Sequence, residues 1–492
     1  MRDPFYKTAL IMTLWYVALV ALTRFIGGAI LWGLVLWTLV LISRKRIASA
    51  VSNYLMVLMF IVINPNICSI NSTLASTALR LGLPLISIAL TMSGLMRKGN
   101  LRLPLGGLLA YLMAAVISSA TGWAPLISYL KMVNFLVFFL GIWFGTQNMQ
   151  NNPDEVLKLR AGFFAISTFV IVGSLLLIPF PGISTLDGLI YNRNYGVHLE
   201  TDEINRILKE SLANGGMSLF CGVTFQSQTL APLSAALFMW IACDMLFVEK
   251  RIRKPHLALL IVALPLIYKT RSRVGFITLA VALTFICFYL PKHIIMPRRL
   301  HEHIKRYTSV TAALIAMIAI VAEVSTGTLT RWVRKTDEVK GDNRSFMEAV
   351  TSSRQRLVDL SIEEFKRNPF FGMGFQVNYE SSMYVENAKG LILSAPIEKG
   401  VAPVMILGEG GVVGAAIFLV FLFTFYVVCT RKKLYLTVAL FTVLLATNLG
   451  EATIFSPGGL GGNLWMVCVV GGFIMDSALI AQRHWLLHDR RW

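Results

Sequence analysis

The chain of 492 residues is 56% apolar and only 14% charged, with 45 Lys and Arg against 26 Asp and Glu for a net charge of +19. Soluble domains run nearer a quarter charged, and at roughly 20 residues per bilayer crossing the apolar content allows on the order of 14 transmembrane helices. This excludes a soluble enzyme, a disordered chain and a nucleic-acid-binding protein, because a basic excess on a membrane protein marks its cytoplasmic loops.

Apolar runs fall near residues 8–23, 27–43, 51–64, 75–95, 104–120, 126–146, 161–180, 226–248, 257–268, 274–290, 308–325, 402–428, 435–449 and 462–482. The first, behind Arg2 and Lys7, imitates a secretory signal. With no small-residue cleavage pattern before Arg24 it is expected to stay as a first helix. With the N-terminus inside, alternation puts Arg44-Lys45-Arg46, Arg97-Lys98, Lys250 to Lys254, Arg298-Arg299 and Arg431-Lys432-Lys433 on the inner side. The outer loops 64–75, 121–126 and 450–461 carry no Lys or Arg. The expected fold is therefore all-α and polytopic. Residues 1–325 hold helices 1–11 with an outer segment near 181–225, residues 326–401 form one large outer loop, and 402–492 hold helices 12–14. Six cysteines lie scattered without metal-ligand spacing and read as small core residues.

Three outer stretches break the pattern. The segment 181–225 contains His198, the one histidine on the outer side, and an expected interfacial helix near 202–212. Lys269-Thr270-Arg271-Ser272-Arg273 is a tight turn with three cations, where short outer loops normally have none. The loop 326–401 carries eleven basic and ten acidic residues and is too long to be a mere connector. Its segment Ser353 to Lys366 reads as an amphipathic helix with Leu357, Leu360, Ile362 and Phe365 on the apolar face, stopped by Asn368-Pro369.

Charges inside apolar runs mark functional sites unless they reach headgroups. Arg80, Lys131 and Glu409 all fall in the outer halves of their helices. For Arg80 and Lys131 a site and a headgroup anchor are equally open readings, whereas Asp244 and Asp476 are expected to reach the inner headgroups. Fixed cations facing outward suit a membrane-anchored anion such as a lipid diphosphate, clamped by guanidinium groups. With no DxD pair on an outer loop, no metal or cofactor is expected, and Arg and Lys alone would stabilise a leaving diphosphate.

Three motifs are similar to those of the O-antigen ligase and polymerase superfamily. Thr270-Arg271-Ser272-Arg273-Val274-Gly275 resembles its T-x-SR-x-G. Arg354 followed by Pro369, Gly372 and Gly374 resembles its Arg before P-x-x-G-x-G, and Glu409 to Gly414 its E-x-G-x-x-G. The resemblance implies a GT-C-like bundle in the bacterial inner membrane. Its large periplasmic loop would face a polyprenyl-diphosphate-linked glycan, and a chain-length regulator could be a protein partner. By the resemblance, Arg273 and Arg354 contact the diphosphate, with Arg271 and Arg356 as neighbours able to take their roles. Arg80, Lys131, His198 and Glu409 complete the candidate substrate-binding set. The ligase branch has a His shortly before E-x-G-x-x-G, and here that stretch, Ser394 to Pro403, has none. This tilts the expectation to an inverting, metal-independent polymerase of lipid-linked repeat units, with a ligase as the alternative and a lipid-linked-oligosaccharide flippase as the reading from another class. Glu398 is then the best-placed group to accept a hydroxyl proton, or to orient the acceptor. A plain ion pair with Lys399 or a nearby Arg is as good a reading of it.

Overall fold

The structure, a computed structural model, describes residues 3–64, 67, 73–95, 105–120, 122, 124–147, 149, 152–179, 220–270, 272–294, 302, 346–377 and 400–488. The described residues are helical almost throughout. In chain order the helices are α1 (Pro4–Ile26), α2 (Gly28–Ser43), α3 (Ile47–Val62), α4 (Thr73–Leu95), α5 (Leu105–Ala120), α6 (Pro125–Gln147) and α7 (Pro153–Leu176). Next come α8 (Ser227–Cys243, continued by a π-helical turn Asp244–Val248), α9 (Lys254–Lys269) and α10 (Arg273–Thr284, continued through a π-helical turn to His293). The loop helix α11 (Phe346–Arg367) precedes α12 (Ala402–Arg431), α13 (Tyr435–Asn448) and α14 (Gly459–Leu464, running through a π-helical stretch Trp465–Val470 to His488).

Eight of these are long and apolar enough to cross a membrane, and four shorter apolar helices accompany them. The protein is an all-α, multi-pass membrane protein. The run expected at 308–325 and the interfacial helix expected at 202–212 lie outside the described residues.

Apolarity all round a helix means burial all round it. In α8 every residue from Thr229 to Cys243 is buried, so it is the central post, with α9 and α10 packed on it. By contrast α1 and α12 each keep a face of exposed Leu, Val and Phe, which is where lipid belongs. Contacts at the two ends follow the alternation read from charge. At one end Glu155 accepts from the Ala48 amide at 2.6 Å. At the other, Asn64 and Phe225 donate to Val223 and Val62, tying the end of α3 to the chain entering α8.

Two expectations fail here. Asp244 does not reach headgroups; it is fully buried, gripped by Arg160 at 2.7 and 3.0 Å and by His256 at 3.1 Å. Arg160 also holds Glu249 at 2.7 Å, and His256 meets the Tyr6 hydroxyl at 3.0 Å, so α1, α7, α8 and α9 share one buried polar network. Asp476 is buried as well. It accepts from the Leu436 and Thr437 amides at 3.2 and 2.9 Å and from the Thr437 hydroxyl at 2.8 Å, capping the start of α13 from α14. In both cases a partner far away in sequence satisfies the charge inside the bundle, which removes the drive toward the headgroups.

Candidate functional site

The loop helix α11 runs into Asn368-Pro369, and the chain then doubles back against α12. There α12 is broken: Gly411 has φ +61° and ψ −163°, which interrupts the hydrogen-bond ladder of a membrane helix. The freed groups pair with the loop. The amides of Val412 and Val413 donate to the carbonyls of Pro369 and Phe370 at 2.8 and 3.2 Å, and the amides of Met373 and Gly374 donate to the carbonyls of Gly408 and Glu409 at 2.9 and 3.2 Å. Two pairs of main-chain bonds thus clasp P-x-x-G-x-G to E-x-G-x-x-G. Irregular backbone is tolerated at membrane depth only when satisfied in this way.

The motif glycines follow from the clasp. Gly372 has φ +73°, and a Cβ there would overlap the Glu409 carbonyl; a Cβ on Gly411 would overlap the Phe370 carbonyl. Each strand of the clasp therefore needs a residue without a side chain where it crosses the other.

Serines from α5 and α6 hold the far side. Ser118 donates to the Glu409 carbonyl. Ser119 accepts from the Phe375 amide at 3.3 Å, Ser128 donates to the Phe375 carbonyl at 2.8 Å, and the two hydroxyls are 2.6 Å apart.

The T-x-SR-x-G segment is a turn between α9 and α10. Thr270 is the C-cap residue just past Lys269 at the end of α9, and Ser272 caps α10 by accepting from the Gly275 amide at 3.4 Å. Gly275 lets α10 lie directly on α8, since a Cβ would meet the Ala231 methyl. Arg273 occupies the first helical position, half-buried. A cation beside a helix N-terminus is unfavourable by about 0.3–1 kcal/mol, so helix stability does not account for it. Lys269 lies over the Phe220 ring at 5.5 Å.

Residues 257–419 match the family model described as O-antigen ligase, a stretch that contains all three motifs. The chain carries an O-antigen ligase family domain. Enzymes of this family are glycan ligases and polymerases, and the protein is a membrane glycan transferase of that type. No curated protein matches the chain.

The O-antigen ligase domain is joined to the rest of the bundle by a segment that sequence reasoning noted only for lacking Lys and Arg. Gly450 abuts Val274, the neighbour of Arg273. Five residues later Phe455 packs on Phe375 at 5.5 Å and stacks on Tyr111 at 4.8 Å. Five residues reach at most about 18 Å, so the SR turn and the clasp are neighbours at one end of the bundle. Pro457 then lines a small cleft with Arg80, Tyr54, Ser87, Asn134 and Phe138, where Tyr54 and Ser87 share a 2.5 Å hydrogen bond. Arg80 is half-buried in that cleft.

Lys131 is 4% exposed, one turn along α6 from Ser128, which does not fit a side chain reaching headgroups. Glu409 is 1% exposed at the break itself. Arg80, Lys131, Glu409 and, through the 450–457 segment, Arg273 are thus gathered at one end of the bundle. Arg354 and Arg356 are on α11 by their backbone, with side chains outside the described residues, as are Arg271, His198 and Glu398 altogether.

The loop helix also departs from its expected amphipathicity. Among its described side chains Ser361 and Glu364 are the buried ones, set against Gly408 of α12, and Ile362 faces outward. The Ser118-Ser119 pair and the aromatic Tyr111, Phe375 and Phe455 carried no spacing signal. The Gly, Ser and Pro content of residues 450–459 beside an aromatic was the one available hint of a folded loop.

Proposed function

We propose that the protein polymerises lipid-linked oligosaccharide repeat units at the periplasmic face of a bacterial inner membrane, with about 14 helices crossing the bilayer. An acceptor hydroxyl attacks the anomeric carbon of the growing chain on the face opposite its polyprenyl diphosphate, and the configuration inverts. Arg273 and Arg354 take up the charge that grows on the leaving diphosphate, with Arg271, Arg356, Arg80 and Lys131 in support. Glu398 accepts the hydroxyl proton or orients the acceptor sugar, and His198 and Glu409 belong to the substrate-binding set.

The observation that carries this reading is the clasp. It fixes the base of the arginine-bearing helix α11 to the same end of the bundle as the SR turn, Arg80 and Lys131. The description of the family favours the second reading, a ligase delivering finished glycan to a new acceptor such as lipid A core or a protein. A match to a transferase family also weighs for transfer over flipping.

Incubating the purified protein with lipid-linked repeat units and sizing the products separates these readings. A ladder of longer lipid-linked chains is expected. Glycan on a new acceptor would make it a ligase, and unchanged repeat units moved across the bilayer would make it a flippase. Arg273→Ala is expected to slow transfer about a hundredfold or more, equivalent to about 3 kcal/mol of transition-state stabilisation. Undiminished turnover in that variant would remove Arg273 from the mechanism.

A further inference from the structure

The segment Lys366-Arg367-Asn368-Pro369-Phe370-Phe371 at the base of the outer loop presents both its cations and both its aromatics outward. Phe370 is 67% exposed and Phe371 40%, although the Phe370 carbonyl is hydrogen-bonded to a membrane helix and the Phe371 amide is held by the Asn368 side chain at 3.3 Å. Their height follows from α12. From Val412 to Arg431 the helix runs unbroken for 20 residues, about 30 Å at 1.5 Å per residue, which is the thickness of the hydrocarbon layer. Arg431-Lys432-Lys433 marks its far end, so Val412 stands at the opposite boundary. The Phe370 carbonyl accepts from the Val413 amide, which places the aromatic pair at that same boundary.

The surface below is lipid-facing. Val412, Leu419, Val420 and Phe423 are exposed at spacings of seven, one and three, which is a single stripe down α12. Phe370 and Phe371 are exposed beside the outer end of that stripe, and Lys366 and Arg367, exposed as well, precede them by about one helical turn on α11. Aromatics at the boundary with cations just outside are what an interfacial anchor requires.

We propose that this segment is a membrane anchor. Phe370 and Phe371 enter the acyl region of the adjoining leaflet, Lys366 and Arg367 lie among its phosphates, and the large loop is held at the bilayer surface by this contact as well as by the clasp. The inference needs only the membrane-spanning bundle and is independent of the reaction catalysed.

Spin labels read the depth. With the six native cysteines replaced, a nitroxide is placed at position 370, 423 or 363 (Phe370→Cys, Phe423→Cys, Glu363→Cys) in the full chain in phosphatidylglycerol-containing nanodiscs. Oxygen is expected to relax the label at 370 more than a water-soluble nickel chelate does, giving a depth of about 5–10 Å below the phosphates. Position 423 should read deeper and 363 should read as water. If the cysteine-free chain does not fold, a photoreactive benzoyl-phenylalanine at 370 in the native chain is expected to yield adducts with phospholipid. A label at 370 that behaves like the one at 363, or adducts to protein alone, would overturn the proposal.

Discussion

At the residue scale, adjacent glycines in α12 do unequal work. Gly411 has a positive φ and touches the Phe370 backbone, whereas a Cβ on Gly410 would meet nothing within 4 Å. An L residue in the left-handed region costs about 1–2 kcal/mol even without a collision. Gly411→Ala and Gly372→Ala are therefore expected to undock the loop and lose tenfold or more in transfer rate, while Gly410→Ala stays near wild type. Limited proteolysis at residues 366–374 checks the cause, with faster cleavage expected only in the first two. The glycines themselves were legible in the sequence as motif members. Their reason was not, because it resides in a main-chain crossing between segments some 40 positions apart. Glu409 was legible for a similar reason, as a charge in an apolar run, but not its place at a helix break. The apolar residues of 402–428 continue through Gly411 without a change of period.

At the scale of elements, caps come from other helices. The α13 N-terminus is closed by Asp476, whose carboxylate accepts two amides and a hydroxyl. Removing a cap costs about 0.5–2 kcal/mol, and burial puts this one at the upper end. Asp476→Ala is expected to lower the melting temperature in detergent by several degrees, with Asp476→Asn intermediate, as thermal unfolding followed by circular dichroism will show. The sequence misleads here because hydropathy registers a charge within an apolar run but not the partner that awaits it. The elements themselves were read well wherever apolar length alone decides, as in α8, which fills the run expected at 226–248. The loop helix was located and its end read well, but it starts at Phe346 rather than Ser353, and its buried face was not foreseen. Hydropathy assigned Ile362 inward, yet the cramped approach at Gly408 admits Ser361 and Glu364 instead.

At the scale of the whole molecule, the end of the bundle opposite the motifs is fastened by the Arg160, Asp244, His256 and Glu249 network. Deleting one member of a buried ion pair typically costs about 3–5 kcal/mol, because the other charge is stranded, whereas replacing both by apolar residues is often neutral. Arg160→Met is thus expected to destabilise the protein strongly. Arg160→Met combined with Asp244→Leu should recover most of the loss, since Glu249 is partly exposed and can be hydrated. Thermal melts of the single and double variants decide it. The motifs and this network occupy opposite ends, so neither variant is expected to change the identity of the product.

The clasp joins main chain to main chain, so it asks for small residues at the crossing and is indifferent to the chemistry of the tip. Residues 378–399 leave from Val377, which is buried, and return at Gly400, which sits against Leu357 and Val358. The residues on either side of 378–399 are thus both held by packing, Gly400 against the loop helix α11. A chimera that exchanges only residues 378–399 is therefore expected to keep the recipient's helical fold and thermal stability, because the packing on either side of the exchange is untouched.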